Sequence, residues 1–187
     1  MPFDHFDLIA GLYNRMAQFN AHTPLLELLT LPPDGLLLDA GGGTGRVTEA
    51  LRSLVRETVV ADLSLGMLRH AADKGLATTC ARAEDLPFAS NGFDRIIMVD
   101  TLHHVFDPRK TATELWRVLA PGGRIVIIEP DIHKFAVKLI AIAEKVLLMR
   151  SHFLPAEKIA ALFSRRNTDV RVISDDFNVL VCAVKVR

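Results

Sequence analysis

Leu36-Leu37-Leu38-Asp39-Ala40-Gly41-Gly42-Gly43-Thr44-Gly45-Arg46 reads as a short strand, a glycine bend and the start of a helix. Glycine tolerates positive φ and lets a ligand approach the backbone closely. In an open α/β sheet, ligands bind outside the carboxyl ends of the strands. The bend is therefore the expected cradle of a nucleotide.

The spacing narrows the choice. A dinucleotide fingerprint needs G-x-G-x-x-G, whose third glycine packs helix against strand. Counted from Gly41, that third position is Arg46. No Gly-Lys-Ser/Thr follows, so the bend is not a P-loop either. The pattern present is Asp-x-Gly-x-Gly-x-Gly, through Asp39, Gly41, Gly43 and Gly45. An acid two residues ahead of the first glycine repels a pyrophosphate and suits a cationic amino group. S-adenosylmethionine has that ammonium and no phosphate. Asp62 ends the next apolar run, about 20 residues beyond the first glycine, where a carboxylate can accept from both ribose hydroxyls. Asp62 could also be an N-cap for the helix that follows it.

Working outward, apolar runs recur at Glu57–Asp62, Phe93–Asp100 and Gly123–Glu129, with a weaker one at Ala77–Ala81. Near-continuous apolar strands imply burial on both faces of a parallel sheet. Helix-like segments lie between them at Thr44–Leu54, Ser64–Lys74 and Pro108–Leu119. Alternating strand and helix predicts a doubly wound α/β domain.

The two ends differ from this core. Phe3, Phe6, Ile9, Leu12, Tyr13, Met16 and Phe19 recur at helical steps, and a second short helix is expected after Thr23, stopped by Pro32-Pro33. Lys134–Arg150 reads as a helix whose lysines 134, 138 and 145 share one strip while most of its circumference is apolar. It suits a lid over an apolar acceptor, a partner or core contact, or a membrane surface. Ala156–Phe163 predicts another helix, and Val170–Ile173 and Val179–Val186 a hairpin across Asp175-Asp176.

The 187 residues balance 22 Lys and Arg against 22 Asp and Glu. That balance argues against nucleic acid as a partner, because such affinity comes from neutralising phosphates. Half the chain is apolar, yet no window is long and apolar enough to span a membrane. The acidic start, Met1 to Asp7, lacks the basic character of a secretory signal. Cys80 and Cys182 lie far apart and form no C-x-x-C, so both are expected as reduced core thiols in a cytoplasmic protein. Oligomeric state is left open.

Several stretches together resemble the class I S-adenosylmethionine-dependent methyltransferases, in particular the branch of ubiquinone/menaquinone-biosynthesis C-methyltransferases. Leu38 to Gly45 resembles the family's first motif, and Asp62-Leu63-Ser64 with Met67 its second-strand end. Ala83-Glu84-Asp85-Leu86-Pro87-Phe88 resembles its loop beside adenine. Phe93-Asp94 with Asp100-Thr101-Leu102-His103-His104 resembles its fourth strand and the following turn. Leu115 to Gly123 resembles its R-V-L-x-P-G-G helix end. The resemblance is strong over residues 35–130 and weak at the ends. In one departure, Arg82 stands where the family usually has an Asp for the adenine amino group.

The resemblance implies a Rossmann-like, mostly parallel seven-strand sheet whose last strand is antiparallel. It implies one domain over 1–187: an N-terminal helical cap (1–33), a cofactor-binding core (35–130) and a substrate-side helix with C-terminal strands (131–187). It also implies Asp39, Gly41, Gly43, Gly45, Asp62, Leu63, Met67, Ala83, Glu84 and Asp100 as the residues around S-adenosylmethionine. Methyl transfer from a sulfonium is an in-line displacement, so positioning and water exclusion carry most of it. A base is needed only where the nucleophile must lose a proton. His103 and His104 are the candidate catalytic groups. Glu129, Asp131 and His133, after the fifth strand, either face the acceptor or cap the next helix. No third ligand sits near the histidines, so no metal is expected. The acceptor is expected to be small and apolar. Two rival readings are a cofactor-binding regulator or partner subunit that transfers nothing, and an NAD-dependent oxidoreductase.

Overall fold

The computed structural model describes residues 23–134, 137, 152–165, 167–175 and 177–186. The expected helix Phe3–Phe19, with Tyr13, lies outside these residues, as does the expected helix Lys134–Arg150 apart from Lys134 and Val137. The described elements are α1 (Thr23–Leu29), β1 (Leu36–Ala40), α2 (Arg46–Leu51), β2 (Glu57–Asp62), α3 (Leu65–Asp73), β3 (Ala77–Cys80) and β4 (Phe93–Val99). They continue with α4 (Pro108–Val118), β5 (Leu119–Pro130), α5 (Ala156–Leu162), β6 (Thr168–Asp175) and β7 (Asn178–Lys185).

The strands form one seven-stranded sheet in the order β3-β2-β1-β4-β5-β7-β6. All pairs are parallel except those made by β7, which runs antiparallel to both β5 and β6. The class expected from the sequence is therefore the class observed. From β1 the chain winds outward through β2 to β3, then crosses back to β4 on the other side of β1. The order reverses between β1 and β4, and a crevice opens at their carboxyl ends at such a switch point.

The unbroken apolar runs arise because alternate residues face opposite layers. Leu38, Ile96, Ile125 and Ala183 lie on one face with Leu115 and Val118 of α4 and Ile159 of α5. Leu37, Ile97, Val126 and Cys182 lie on the other with Leu25 and Leu29 of α1 and Val47 and Leu51 of α2. Register carries this across the sheet, since Ile96 pairs with Ile125 and Ile125 with Ala183. Truncating Leu38 or Ile96, both fully buried, to alanine would cost roughly 2–5 kcal/mol.

Three local expectations change. The helix expected from Thr44 begins at Arg46 and tightens into a 3-10 turn over Arg52–Leu54. Thr44 and Gly45 belong to the bend: Gly45 has φ 70°, and its amide donates to Gly42 O at 2.9 Å. Of the two expected core thiols only Cys182 is buried; Cys80 is exposed, because β3 is a sheet edge covered on one side only by β2. The strand expected at Val170–Ile173 extends to Thr168–Asp175, because an edge strand is held by backbone pairing to β7 without a buried face of its own.

Candidate functional site

Apart from Met67 in α3, the described residues singled out for chemistry lie at the carboxyl ends of strands or in the segments that follow them. After β1, the bend is drawn onto β2, with the amides of Gly41 and Gly42 donating to Ala61 O at 2.6 and 3.3 Å. The glycines differ in role. A Cβ on Gly41 would lie 2.1 Å from Thr101 Cγ2, and one on Gly45 would lie 2.3 Å from Leu76 Cδ1. A Cβ on Gly42 would strike the Asp39 carboxyl. These three are glycines because the protein itself fills the space. Gly43 has φ 55°, and among the described residues a Cβ there meets only Asp62 Oδ2 and Met67 Sδ, each at 3.9 Å. Its open side is where a ligand can lie against the backbone.

Asp62 joins the bend to β2. Its Oδ2 accepts from Gly43 N at 2.8 Å and its Oδ1 from Ser64 N at 2.8 Å. The cap of α3 is Ser64, whose hydroxyl accepts from Met67 N, so the N-cap alternative for Asp62 falls to its neighbour. A carboxylate offers about four acceptor positions. Met67 is buried and Leu63 exposed. Asp39 is buried beneath the bend, and its Oδ2 accepts from Thr48 Oγ1 at 2.6 Å. Burial pushes its carboxyl up to about 6; the Thr48 hydroxyl partly offsets this, and the neighbouring Asp62 adds to it.

After β4, Asp100 takes φ 51°, a left-handed conformation that Asp tolerates better than most side chains. Its Oδ2 lies 3.5 Å from Arg46 Nη2, and burial raises its carboxyl. Thr101 Oγ1 lies 2.9 Å from both Gly41 O and Val99 O, tying the end of β4 to the bend. The Asp62 carboxylate thus borders Gly43, and Asp100 with Arg46 pairs at the end of β4. The hydroxyl of Thr44, buried within the bend, has no hydrogen-bond partner among the described residues.

The loop after β3 is tied down by hydrogen bonds. Glu84 is buried and turned into the protein: its Oε1 accepts from Phe106 N at 2.7 Å and Asp107 N at 3.2 Å. Arg82, the departure from the family pattern, lies 3.7 Å from Glu84 Oε2 and 6.0 Å from the Phe106 ring centroid. Ala83 lies between them. Glu84 therefore acts on the site through the segment it holds.

Glu129 is 2% exposed at the end of β5. Its Oε1 accepts from Thr101 N at 3.0 Å and Leu102 N at 2.7 Å, and its Oε2 meets His103 Nδ1 at 2.5 Å. The His103 ring stacks on Phe153 at 4.4 Å and lies 4.0 Å from the His104 ring. His104 is pushed down to about 3 by burial and by His103, so it stays neutral across the physiological range. Asp131 accepts from His133 N at 2.9 Å, capping the turn after β5, and His133 itself is exposed. Thus, of the three acids and bases expected after β5, Glu129 turns inward to His103. Sequence reading did not single out Arg46, Thr101 or Phe153 for this edge; their partners lie dozens of residues away.

No group of three or more His, Cys, Asp or Glu suited to a metal occurs among the described residues. An adenosine with a zwitterionic amino-acid tail fits these residues: a side-chain-free backbone at Gly43, a carboxylate at the end of β2, and both signs of charge near the bend.

Comparison with known proteins agrees with this geometry. Residues 38–127 match the family model described as methyltransferase domain. The chain is 40% identical over 101 residues to the demethylmenaquinone methyltransferase of Corynebacterium urealyticum, covering 54% of this chain and 44% of that one. It is 32% identical to the ubiquinone/menaquinone biosynthesis C-methyltransferase UbiE of Hydrogenovibrio crunogenus, covering 66% and 56%. The chain thus spans about half the length of these curated relatives. Its fold matches a SAM-dependent methyltransferase of Thermotoga maritima with a TM-score of 0.78 at 21% identity, over 96% of this chain and 97% of that one.

Proposed function

We propose that this chain, whose residues 38–127 match the methyltransferase-domain model, binds S-adenosylmethionine and methylates a small apolar acceptor. One observation carries the reading: the open, positive-φ backbone of Gly43 is bonded directly to the carboxylate of Asp62. A bend with acids beneath and beside it favours a cationic, phosphate-free nucleoside over a dinucleotide.

When bound, S-adenosylmethionine supplies a methyl group already activated on sulfur. The residues of the chain do the rest. Asp62 accepts from the ribose hydroxyls. Asp39 and Asp100 attract the ammonium, and Arg46 balances their charge. The segment Ala83–Phe88 walls the adenine side, with Glu84 and Arg82 holding its start. An apolar acceptor is favoured by the quinone-pathway names of the relatives.

Calorimetry is the direct test. S-adenosylhomocysteine should bind with a 1:1 stoichiometry, and NAD should not. Selective binding of NAD would return the oxidoreductase reading. Binding of S-adenosylhomocysteine without turnover on any acceptor in a mass-spectrometric screen would favour the regulator.

A further inference from the structure

We propose that the outer edge of β6 pairs with β6 of a second copy of this chain, antiparallel and about a two-fold axis at Val170, so that two sheets join into one. This association is independent of what the chain binds or methylates.

The two edges of the sheet are built differently. β3 has four residues, Ala77–Cys80, and offers little to a further strand. β6 has eight, Thr168–Asp175, in unbroken register with β7 and without a proline or lysine. Soluble proteins usually shorten, bend or charge such an edge to keep other strands off. The bond from Val186 N to Asn167 O, at 2.9 Å, continues the β6–β7 register by one step and sets the phase of the backbone groups. Odd-numbered residues of β6 therefore direct their amide and carbonyl to β7, while Thr168, Val170, Val172 and Ser174 turn theirs outward. Among the described residues those outward groups have no backbone partner. Val172 and Ile173 are exposed, as are Phe177 in the turn and Val186 just past β7, so apolar surface lies uncovered beside the open backbone.

Charge complementarity selects a second copy as the occupant and fixes its register. Asp169 and Arg171 are the charges of this strand ahead of Asp175; they pair at 3.4 Å, both exposed, on one face of the sheet. About a two-fold axis at Val170, Asp169 of one protomer faces Arg171 of its partner, twice over, so the four charges alternate in sign. Val170 then meets Val170 and Thr168 meets Val172, with on the order of six backbone hydrogen bonds between the copies. An axis at Arg171 would set the two guanidinium groups against each other, and one at Val172 would set Asp169 against Asp175. Like charges directly opposite destabilise a strand pair. An axis at Ile173 would set Arg171 against Asp175, but the overlap shrinks to about four backbone bonds. Strand pairing alone buries little area, so the expected dissociation constant is about 1–100 µM.

Sedimentation equilibrium on the full chain, from about 1 to 500 µM, reads the association directly. The wild type should pass from monomer to dimer. Arg171→Asp leaves two acids on each copy and Asp169→Arg two cations, so each should raise the dissociation constant at least about tenfold. An equimolar mixture of these two variants should associate again, and so should the double exchange of Asp169→Arg with Arg171→Asp. Both positions are exposed, so melting temperatures should stay near that of the wild type. Val172→Pro removes an N–H that points away from β7, so the hairpin should survive while association is lost. A wild type that stays monomeric throughout overturns the second copy as the occupant of this edge. A dimer that survives Val172→Pro and both single reversals overturns β6 as the interface. Single reversals that dissociate the dimer without rescue in the mixture overturn the register about Val170.

Discussion

The amide of Gly43 donates to Oδ2 of Asp62 at 2.8 Å, so one side chain fixes the bend and borders the place where a ligand would lie. Removing it has two consequences at once. Asp62→Ala releases the bend from β2 and deletes the acceptor for the ribose. Hydrogen bonds to a charged group contribute about 1.5–3 kcal/mol, so affinity for S-adenosylhomocysteine should fall about 10- to 100-fold. Asp62→Asn keeps one acceptor oxygen and should fall between the two. Calorimetry giving wild-type affinity for Asp62→Ala removes this residue from the site.

The glycines of the bend should respond differently to the same change. Gly41→Ala places a Cβ 2.1 Å from Thr101 Cγ2 at φ 72°, so it should destabilise the fold by about 2–4 kcal/mol. Gly43→Ala meets nothing closer than 3.9 Å among the described residues. Its cost is the left-handed backbone alone, about 1–2 kcal/mol. The fold should survive, and S-adenosylhomocysteine binding should weaken at least about tenfold. Melting curves and calorimetry on the pair separate the outcomes; a stable Gly43→Ala with full affinity means that nothing lies against that backbone.

These contrasts show what the sequence could and could not reveal. Leu36–Ala40, Glu57–Asp62 and Phe93–Val99 were legible as strands because both faces are buried, which leaves unbroken apolar runs. Their order followed from alternation with helices. Asp39, Asp62 and the glycines were legible because their spacing is local. The joining contacts were not. Arg95 and Arg124 donate to carbonyls at the end of α1 and just after it, at Leu28, Leu29 and Thr30, a pairing across dozens of residues that no periodicity reports. Nor could spacing tell that one carboxylate of Glu129 serves two amides and a histidine. Glu84 looked like a ligand contact because its motif is distinctive, yet its oxygens face Phe106, Asp107 and Arg82.

Asp39 gives a pH prediction with a definite sign. Its carboxyl is pushed from 3.8 to about 6, chiefly by burial. A group that holds its proton more tightly when folded stabilises the fold most below its unfolded value. That contribution is lost as pH rises from about 4 to about 6, and is flat above; its size is on the order of 2–3 kcal/mol. The melting temperature of Asp39→Asn relative to wild type should therefore shift in the variant's favour between pH 4 and 7, whatever its offset. Binding should run the other way: a cationic ligand favours the ionised form, so wild-type affinity should fall as pH drops through about 6 while that of the variant stays level. Parallel melting curves across this window would contradict a buried, titrating Asp39.

Arg117 makes the last prediction, through the loop proposed to wall the adenine side. Its guanidinium donates to Leu86 O at 3.0 Å and Phe88 O at 2.8 Å, and Glu114 Oε1 accepts from Leu86 N at 2.8 Å. The Arg117 hydrogen bond in turn holds the Glu114 carboxyl below the usual range. A planar fork can bond two carbonyls and a carboxylate together; an ammonium cannot reproduce that geometry. Arg117→Lys should therefore loosen the segment Leu86–Ser90 despite keeping the charge, with a stability loss of about 1–2 kcal/mol. Amide exchange at Leu86 should quicken while Ile96 and Ile127, in the sheet centre, stay protected. Affinity for S-adenosylhomocysteine should drop several-fold because the adenine wall is less ordered. If exchange at Leu86 is unchanged in Arg117→Lys, the loop is held by its own turn and the helix contributes nothing to the site.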